Sequence, residues 1–151
     1  MIKQITREDL QEVIKLTKSF WRESIAESLF GEFDPLYFQG VLIRAFHANV
    51  LFGWASFCKS KMTGVLLAAE DQLVWKKVLF LKEVMWYTLP EHRGSTSSIR
   101  LLKCLENFAK EKKYHSIMMG TISGTPNHDR MHKFYLKNKF QPMENSYIKT
   151  L

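Results

Sequence analysis

Apolar positions along the chain recur with two different spacings. In residues 10–21 and 38–46 they return every three or four positions, which is typical of amphipathic helices. Residues 2–5, 50–58, 63–69 and 74–89 instead hold short apolar runs rich in β-branched and aromatic side chains, which predict strands. A polar turn at residues 59–61 separates two of these runs and predicts an adjacent antiparallel pair. A second turn is expected at residues 70–73.

Short-range signals mark where these elements begin and end. Thr6 and Asp9 resemble a capping box at the start of the first helix. Gly31 interrupts the helical pattern, and Asp34 followed by Pro35 restarts it, because aspartate is a good N-cap and proline is tolerated at the first helical position. Pro90 is expected to end the strand run of residues 74–89.

The second half of the chain contains the clearest predicted helix. Its inward face is expected to consist of Leu101, Leu102, Leu105, Phe108 and Ala109. Residues 117–122 predict another strand, residues 128–138 a helix, and residues 146–150, which alternate, a last strand. The predicted order is β-α-α-β-β-β-α-β-α-β, a mixed α/β or α+β fold with a single domain over residues 1–151.

The composition is that of a folded protein without a membrane segment. Hydrophobic residues make up 46% of the chain and charged residues 25%, which excludes a disordered class. No apolar run approaches the roughly 20 residues that cross a bilayer, and the first residues lack the apolar core of a signal peptide. We therefore expect a cytoplasmic protein with no membrane partner. Cys58 and Cys104 have no CxxC spacing or histidine-rich neighbours, so no metal site is expected.

The net charge of +7 suits an anionic ligand. Most of the lysines alternate with acidic residues along predicted helices, however, which is typical of solvated helix faces. A nucleic-acid partner is unlikely on this pattern, because no recognised binding module accompanies the charge.

One stretch, residues 82–105, combines a strand, a short loop and a helix start. Arg93 and Gly94 lie in the loop, and four small hydroxyl residues follow, Ser95, Thr96, Ser97 and Ser98. The first N–H groups of a helix have no partner within it, and its dipole favours negative charge there. The stretch therefore predicts a phosphate-binding loop, to which Arg93 can add positive charge.

The same stretch resembles the acyl-CoA site of the GNAT superfamily of N-acyltransferases. The family pattern is a strand followed by R/Q-x-x-G-x-G/A at a helix start, and residues 88–98 stand in its place. Thr96 and Ser98 occupy the positions of the usual small residues, so close approach of a ligand requires them to keep φ negative. Farther on, Asn127, Tyr135 and Phe140 stand in places similar to those of the family's Asn, helical Tyr and Phe. Asn127 is one residue farther from Tyr135 than the common spacing, which leaves His128 as the alternative for that place, and Lys139 replaces the usual glycine before Phe140.

The resemblance implies a mostly antiparallel central sheet flanked by helices, and acetyl-CoA as co-substrate without a metal. The pyrophosphate would bind backbone N–H groups of residues 93–98, and the pantetheine would follow the strand near Trp86 and Thr88. The acyl group would lie where this strand diverges from residues 117–122. The implied coenzyme contacts are Trp86, Thr88, Arg93, Gly94, Ser95, Thr96, Ser97, Ser98 and Asn127.

Acyl transfer to an amine needs an acid for the leaving thiolate and a base for the amine. Tyr135 stands at the family position of the acid. The alternative interpretation is that Tyr135 is a core tyrosine without a catalytic role. Glu83 is the candidate base, because a carboxylate in an apolar strand has a raised pKa. Strand alternation puts Glu83 opposite the face of Trp86 unless a bulge intervenes. Other candidate bases are Glu70, His92, His128 and His132, and water-mediated deprotonation without a base is a further alternative.

The leading hypothesis is an acetyl-CoA-dependent N-acetyltransferase that passes the acyl group directly to a primary amine. Residues 8–48 would wall the acceptor side, but their apolar content does not distinguish a small molecule from a protein lysine. Trp54, Trp75 and Trp86 either line the acceptor site or belong to the sheet core. The alternative is a catalytically silent GNAT-like domain that binds CoA or a protein partner. The sequence is compatible with a homodimer.

Overall fold

The structure, a computed structural model, describes residues 1–123, 125 and 127–151. Within these residues, five strands form one sheet in the order β1-β2-β3-β4-β5. The strands are β1 (Ile2–Gln4), β2 (Leu51–Cys58), β3 (Lys61–Gln72), β4 (Leu79–Thr88) and β5 (Ile117–Met118). Neighbours pair antiparallel except β4 and β5, which are parallel. The predicted mixed, mostly antiparallel sheet is confirmed.

Helices cover both faces of this sheet. They are α1 (Leu10–Glu23), α2 (Ala26–Phe30), α3 (Pro35–His47), α4 (Ser97–Glu111) and α5 (His128–Lys137). The predicted capping is present: the Thr6 N–H donates to the Asp9 carboxylate at 2.9 Å, and the Asp34 carboxylate accepts from the Tyr37 N–H at 2.9 Å. None of the helices in the described residues has the length and apolar character to cross a bilayer.

The core has two layers, one on each face of the sheet. On one face, α1 and α3 bury Val13 and Leu42 against Val65 and Met85. On the other face, the predicted inner residues of α4 pack against the sheet. That layer contains Leu66, Leu81, Leu101, Leu105 and Ala109. The sheet is therefore the central layer, and β4 carries side chains into both cores.

Two of the predicted boundaries are wrong around residues 70–78. The turn expected at residues 70–73 is strand, since β3 continues to Gln72 and pairs Asp71 with Phe80. Correspondingly, β4 begins at Leu79 and not at residue 74. The polar residues that resembled a turn lie where β3 runs beyond the core, so their polarity reflects solvent exposure at a strand end.

Short or unpaired segments account for the other differences. The strand predicted at residues 117–122 pairs only over Ile117–Met118. Residues 146–150 form no strand and are exposed, because no neighbouring strand pairs with their alternating pattern. The five-residue helix α2 was not predicted, since it is shorter than two full turns of the pattern and ends at Gly31, with φ of 83°.

Candidate active site

A β-bulge in β4 determines where its side chains point. The register passes from Leu67 opposite Met85 to Ala68 opposite Glu83, which leaves Val84 as the extra residue. Leu81 consequently packs in the α4 layer, whereas Met85 packs in the α1 layer. The bulge reverses the alternation that would have separated Glu83 from Trp86, so both lie on the α4 side of the sheet.

Beyond its first residues, β4 has an open edge. Strand β5 pairs only with Leu81 and Lys82, and the two strands then diverge. The Leu89 N–H donates to the Thr63 carbonyl of β3 at 2.9 Å. Because successive residues of a strand point their backbone groups to opposite edges, those of Trp86 and Thr88 face the open edge. This is the edge at which the family resemblance implies main-chain contacts to a pantetheine.

Three groups meet where β4 and β5 diverge. The Gly120 N–H donates to Glu83 Oε2 at 3.0 Å, and the Tyr135 hydroxyl donates to the Gly120 carbonyl at 2.8 Å. The Trp86 ring lies beside α5, with its centroid 6.4 Å from that of Tyr135. The structure thus brings together Glu83 and Tyr135, which the sequence predicts separately as base and acid. Gly120 carries no sequence signal that would have included it.

The surroundings of this cluster favour neutral forms of both side chains. Burial of the carboxylate raises the pKa of Glu83 to about 7, although donors on Gly120, Tyr135 and Trp86 act in the lowering direction. Burial, and then the nearby Glu83 charge, raise the pKa of the Tyr135 phenol well above its usual range. Glu83 can therefore exchange a proton near neutral pH, while Tyr135 keeps its proton.

The alternative bases lie in different settings. Glu70 accepts a hydrogen bond from the Tyr114 hydroxyl at 2.6 Å, and burial followed by this contact raises the pKa of Tyr114 to about 12. His92 lies in the turn before the loop, where its carbonyl accepts from Ser95 Oγ at 2.9 Å. His128 Nδ1 is 3.3 Å from Thr121 Oγ1, and His132 is exposed on α5. Glu83 alone among these carboxylates and imidazoles contacts Gly120 in the described residues.

The loop before α4 presents free backbone donors. Gly94 adopts φ of 82°, a conformation that glycine reaches without strain. Within residues 1–123, 125 and 127–151, the N–H groups of Gly94, Ser95, Thr96 and Ser98 donate to no acceptor. The Ser97 N–H has only a long contact, 3.4 Å, to Ser95 Oγ. Such a row of unpaired donors at a helix start fits a pyrophosphate.

The two departures from the family pattern keep suitable backbone conformations. Thr96 has φ of −71°, and Ser98 is not among the described residues with positive φ. The Ser98 hydroxyl turns towards the strand, where its Oγ is 2.9 Å from Thr88 Oγ1. Lys139 takes the left-handed φ of 65° that the family's glycine would favour. The Phe140 N–H then donates to the Tyr135 carbonyl at 3.0 Å, and this hydrogen bond caps the end of α5.

The Arg93 side chain points towards Thr88 and Glu23 and not towards the free N–H groups of the loop. The Arg93 backbone N–H donates to the Pro90 carbonyl at 3.2 Å, so the row of free donors begins at Gly94. Its side chain donates from Nε to the Thr88 carbonyl at 2.9 Å and from the guanidinium to the Glu23 carboxylate. Glu23 has no sequence signal that would have linked it to the loop, because 70 residues separate it from Arg93.

The remaining candidates are placed apart from this cluster. Asn127 is exposed at the start of α5, where its carbonyl accepts from the Met131 N–H at 2.9 Å. Trp54 is 6% exposed and packs on Phe108 in the core, whereas Trp75 is 88% exposed between β3 and β4. Trp86 alone of the three contacts α5. Among the described residues, no group of three or more His, Cys, Asp or Glu side chains could hold a metal ion.

Comparisons with known proteins give matches only among solved structures, since no family model and no curated protein matches the chain. A ribosomal-protein-alanine N-acetyltransferase from Brucella melitensis biovar Abortus 2308 is 14% identical, with a TM-score of 0.73 over 100% of this chain and 99% of that one. A predicted acetyltransferase from Clostridium acetobutylicum, crystallised with acetyl-CoA, is 17% identical, with a TM-score of 0.78 over 99% and 95%.

An aminoglycoside N-acetyltransferase in complex with CoA is also similar. It is 15% identical, with a TM-score of 0.72 over 100% of this chain and 93% of that one. These likenesses cover nearly the whole of each chain. The chain therefore has the fold of these acetyltransferases, which is the fold that the resemblance over residues 82–140 implies.

Proposed function

We propose that the chain is an acetyl-CoA-dependent N-acetyltransferase, formed as one domain over residues 1–151, that acetylates a primary amine. The observation that carries this proposal is the meeting of Glu83 and Tyr135 at Gly120, where β4 diverges from β5. The structural neighbours support it, because they include an aminoglycoside N-acetyltransferase in complex with CoA and a predicted acetyltransferase with acetyl-CoA. The acceptor remains unassigned, and a cytoplasmic location stays a prediction.

The coenzyme would occupy the open edge of β4 and the loop that follows it. The free N–H groups of Gly94, Ser95, Thr96 and Ser98 would hold the pyrophosphate. At the open edge, the Trp86 carbonyl and the Thr88 N–H would hold the pantetheine as an added strand would be held, since the Thr88 carbonyl already accepts from Arg93 Nε. When bound, the co-substrate supplies the activated acetyl group as a thioester.

The proton transfers follow from the positions of two side chains. Glu83, with a pKa of about 7, accepts the proton that the amine must lose before its nitrogen attacks the thioester carbonyl. Tyr135, whose raised pKa keeps it protonated, donates its proton to the sulfur as the carbon–sulfur bond breaks. The proton on Glu83 can then return to Tyr135 and restore the starting state, because the two side chains lie close enough to share a hydrogen bond.

A catalytically silent domain that binds CoA is the second candidate. The observation in its favour is the direction of the Arg93 guanidinium, which faces Glu23 and not the loop. The loop then has less positive charge for a phosphate than its sequence indicates. Such a domain would bind the coenzyme without turning it over.

A thermal shift and a thiol-release assay separate these proposals. Acetyl-CoA at millimolar concentration should raise the unfolding temperature if the chain binds it. Release of CoA thiol in the presence of one member of an amine panel would support the enzyme, whereas binding without release would support the silent domain. If acetyl-CoA causes no shift, both proposals fail.

A further inference from the structure

The last residue of α1 reaches across to the coenzyme loop. Glu23 Oε1 accepts a hydrogen bond from the Tyr87 hydroxyl at 2.5 Å, and its other oxygen pairs with the Arg93 guanidinium. The guanidinium also lies over the Tyr87 ring, 5.4 Å from its centroid. One carboxylate from the first helix is thus joined to the end of β4 and to the residue that opens the loop.

Arg93 links Glu23 to the loop. Its Nε donates to the Thr88 carbonyl at 2.9 Å while its terminal nitrogen binds Glu23, so both sides of the guanidinium are engaged. A planar guanidinium held by two acceptors has little rotational freedom. Arg93 directly precedes Gly94 in the chain. Fixing the Arg93 side chain therefore also restricts the backbone direction with which the loop of residues 94–98 starts.

Thr88 joins the two ends of the loop. Its carbonyl accepts from Arg93 before the loop, and its hydroxyl pairs at 2.9 Å with Ser98 Oγ after the loop. The four intervening residues are exposed or half-buried, and among them Ser95 donates from Oγ to the His92 carbonyl at 2.9 Å. The conformation of the loop therefore depends on the two anchors at Thr88 together with this local contact.

We propose that Glu23 is a positioning residue that preorganises the pyrophosphate loop through Arg93. This inference rests on the proposed function, since it assumes that the loop binds coenzyme A. Loss of Glu23 leaves the guanidinium held on one side only. The loop then loses conformational entropy when the ligand binds, which lowers the affinity for the ligand. Glu23 touches no reacting group, so it acts through the loop conformation.

Folding stability should depend little on this contact. The side chains of Glu23 and Arg93 are 41% and 34% exposed, and ion pairs that are this accessible to water contribute little to folding stability. The free energy of unfolding of the whole domain is thus a poor measure of Glu23. Ligand affinity and local mobility of the loop are better measures, because both respond directly to its ordering.

Charge and positioning predict opposite outcomes for Glu23→Ala. If Glu23 only neutralised Arg93, its removal would expose a positive charge near the phosphates and tighten CoA binding. If it positions the loop, its removal weakens binding. We expect the CoA dissociation constant to rise about tenfold by calorimetry. Tighter or unchanged binding by this variant would overturn the inference.

A double-mutant cycle tests whether Glu23 acts through Arg93. Arg93→Ala should raise the CoA dissociation constant by a similar factor. The dissociation constant of the double variant should not exceed the larger of the two single-variant values. Factors that multiply in the double variant would show independent roles and would overturn the inference. Glu27→Ala is the matched control, because Glu27 is exposed on α2 and its side chain has no hydrogen bond or ion pair with a described residue, while its carbonyl, which accepts from the Gly31 N–H, is kept in the variant.

Local mobility provides the readout that a general loss of stability would not reproduce. In the ligand-free Glu23→Ala protein, amide order parameters of residues 94–98 should fall from the rigid range, about 0.85, towards about 0.6, with those of α4 unchanged. Unchanged loop values would overturn the inference. Glu23→Gln serves if the alanine variant folds poorly, since it retains an acceptor for Tyr87 and loses the ion pair. Failure of the wild-type protein to bind CoA would instead overturn the proposed function.

Discussion

At the scale of single residues, the proposed role of Glu83 as base should make activity depend on pH. Its pKa of about 7 means that the fraction able to accept a proton rises across neutral pH. The turnover rate with saturating substrates should therefore increase with pH and level off above about 8, with a midpoint near 7. Glu83→Gln should lower the rate about a hundredfold and remove this midpoint. A wild-type profile with no inflection near pH 7 would exclude Glu83 as the base.

The same carboxyl group should make stability depend on pH. The pKa of Glu83 is raised on folding from 4.5 to about 7, so the folded state keeps a proton that the unfolded state has lost between these values. The wild-type protein should lose stability, relative to Glu83→Gln, as pH rises from about 4.5 to about 7, with little change outside that window. Denaturant unfolding at several pH values measures the difference. Parallel curves for the two proteins would show that the carboxylate is solvated.

Tyr135 can be tested by removal of one oxygen atom. Tyr135→Phe keeps the ring that packs on Trp86 but loses the hydroxyl that donates to Gly120, so turnover should fall about a hundredfold while the CoA dissociation constant changes less than about threefold. The control is Tyr147→Phe, because Tyr147 is exposed in the C-terminal segment. A Tyr135→Phe variant with normal turnover would mean that the tyrosine is structural.

At the scale of elements, the loop depends on the backbone of Gly94. An alanine at its φ of 82° is strained, which should shift the loop and raise the CoA dissociation constant about tenfold. Gly31 is a matched control, because it has φ of 83° and equally open surroundings but lies at the end of α2. Both alanine variants should lose similar stability by denaturant unfolding. Equal CoA affinity in the two variants would contradict the assignment of this loop.

Elements that contribute a face to the core were predictable from the sequence. The apolar stripes of α1 and α4, and the β2–β3 pair with its turn, follow from burial on one side and solvent on the other. The end of β3 and the segment of residues 146–150 were not, because their pattern carries no information about which strands pair. Pairing is a property of the assembled sheet, and residue types at a strand end do not encode it.

At the scale of the whole molecule, the site was predictable only in part. The hydroxyl-rich loop and Tyr135 follow from local motifs, but the side of the sheet on which Glu83 lies depends on the bulge at Val84. The contact from Glu23 to Arg93 joins residues 70 positions apart, and Gly120 enters the site through its backbone. Contacts of this kind arise when segments that are distant in the sequence pack together, so a local sequence pattern does not predict them.

The fold places these parts along one edge of one strand. Bulge, open edge and loop follow each other in β4 and the residues after it, while α1 supports the loop from one face and α5 supplies Tyr135 from the other. An acceptor amine would therefore have to approach between the two layers, near the point where β4 and β5 part. We propose that acetyl transfer occurs at that point.

The most direct measurement is detection of the acetylated amine by mass spectrometry after incubation with acetyl-CoA and an amine panel. Wild-type protein should acetylate at least one primary amine, and the amount of product should match the CoA thiol released. The Glu83→Gln/Tyr135→Phe double variant should bind CoA and form almost no product. Product formation by the double variant at the wild-type rate, or CoA binding by wild type without any acetylated amine, would contradict the account.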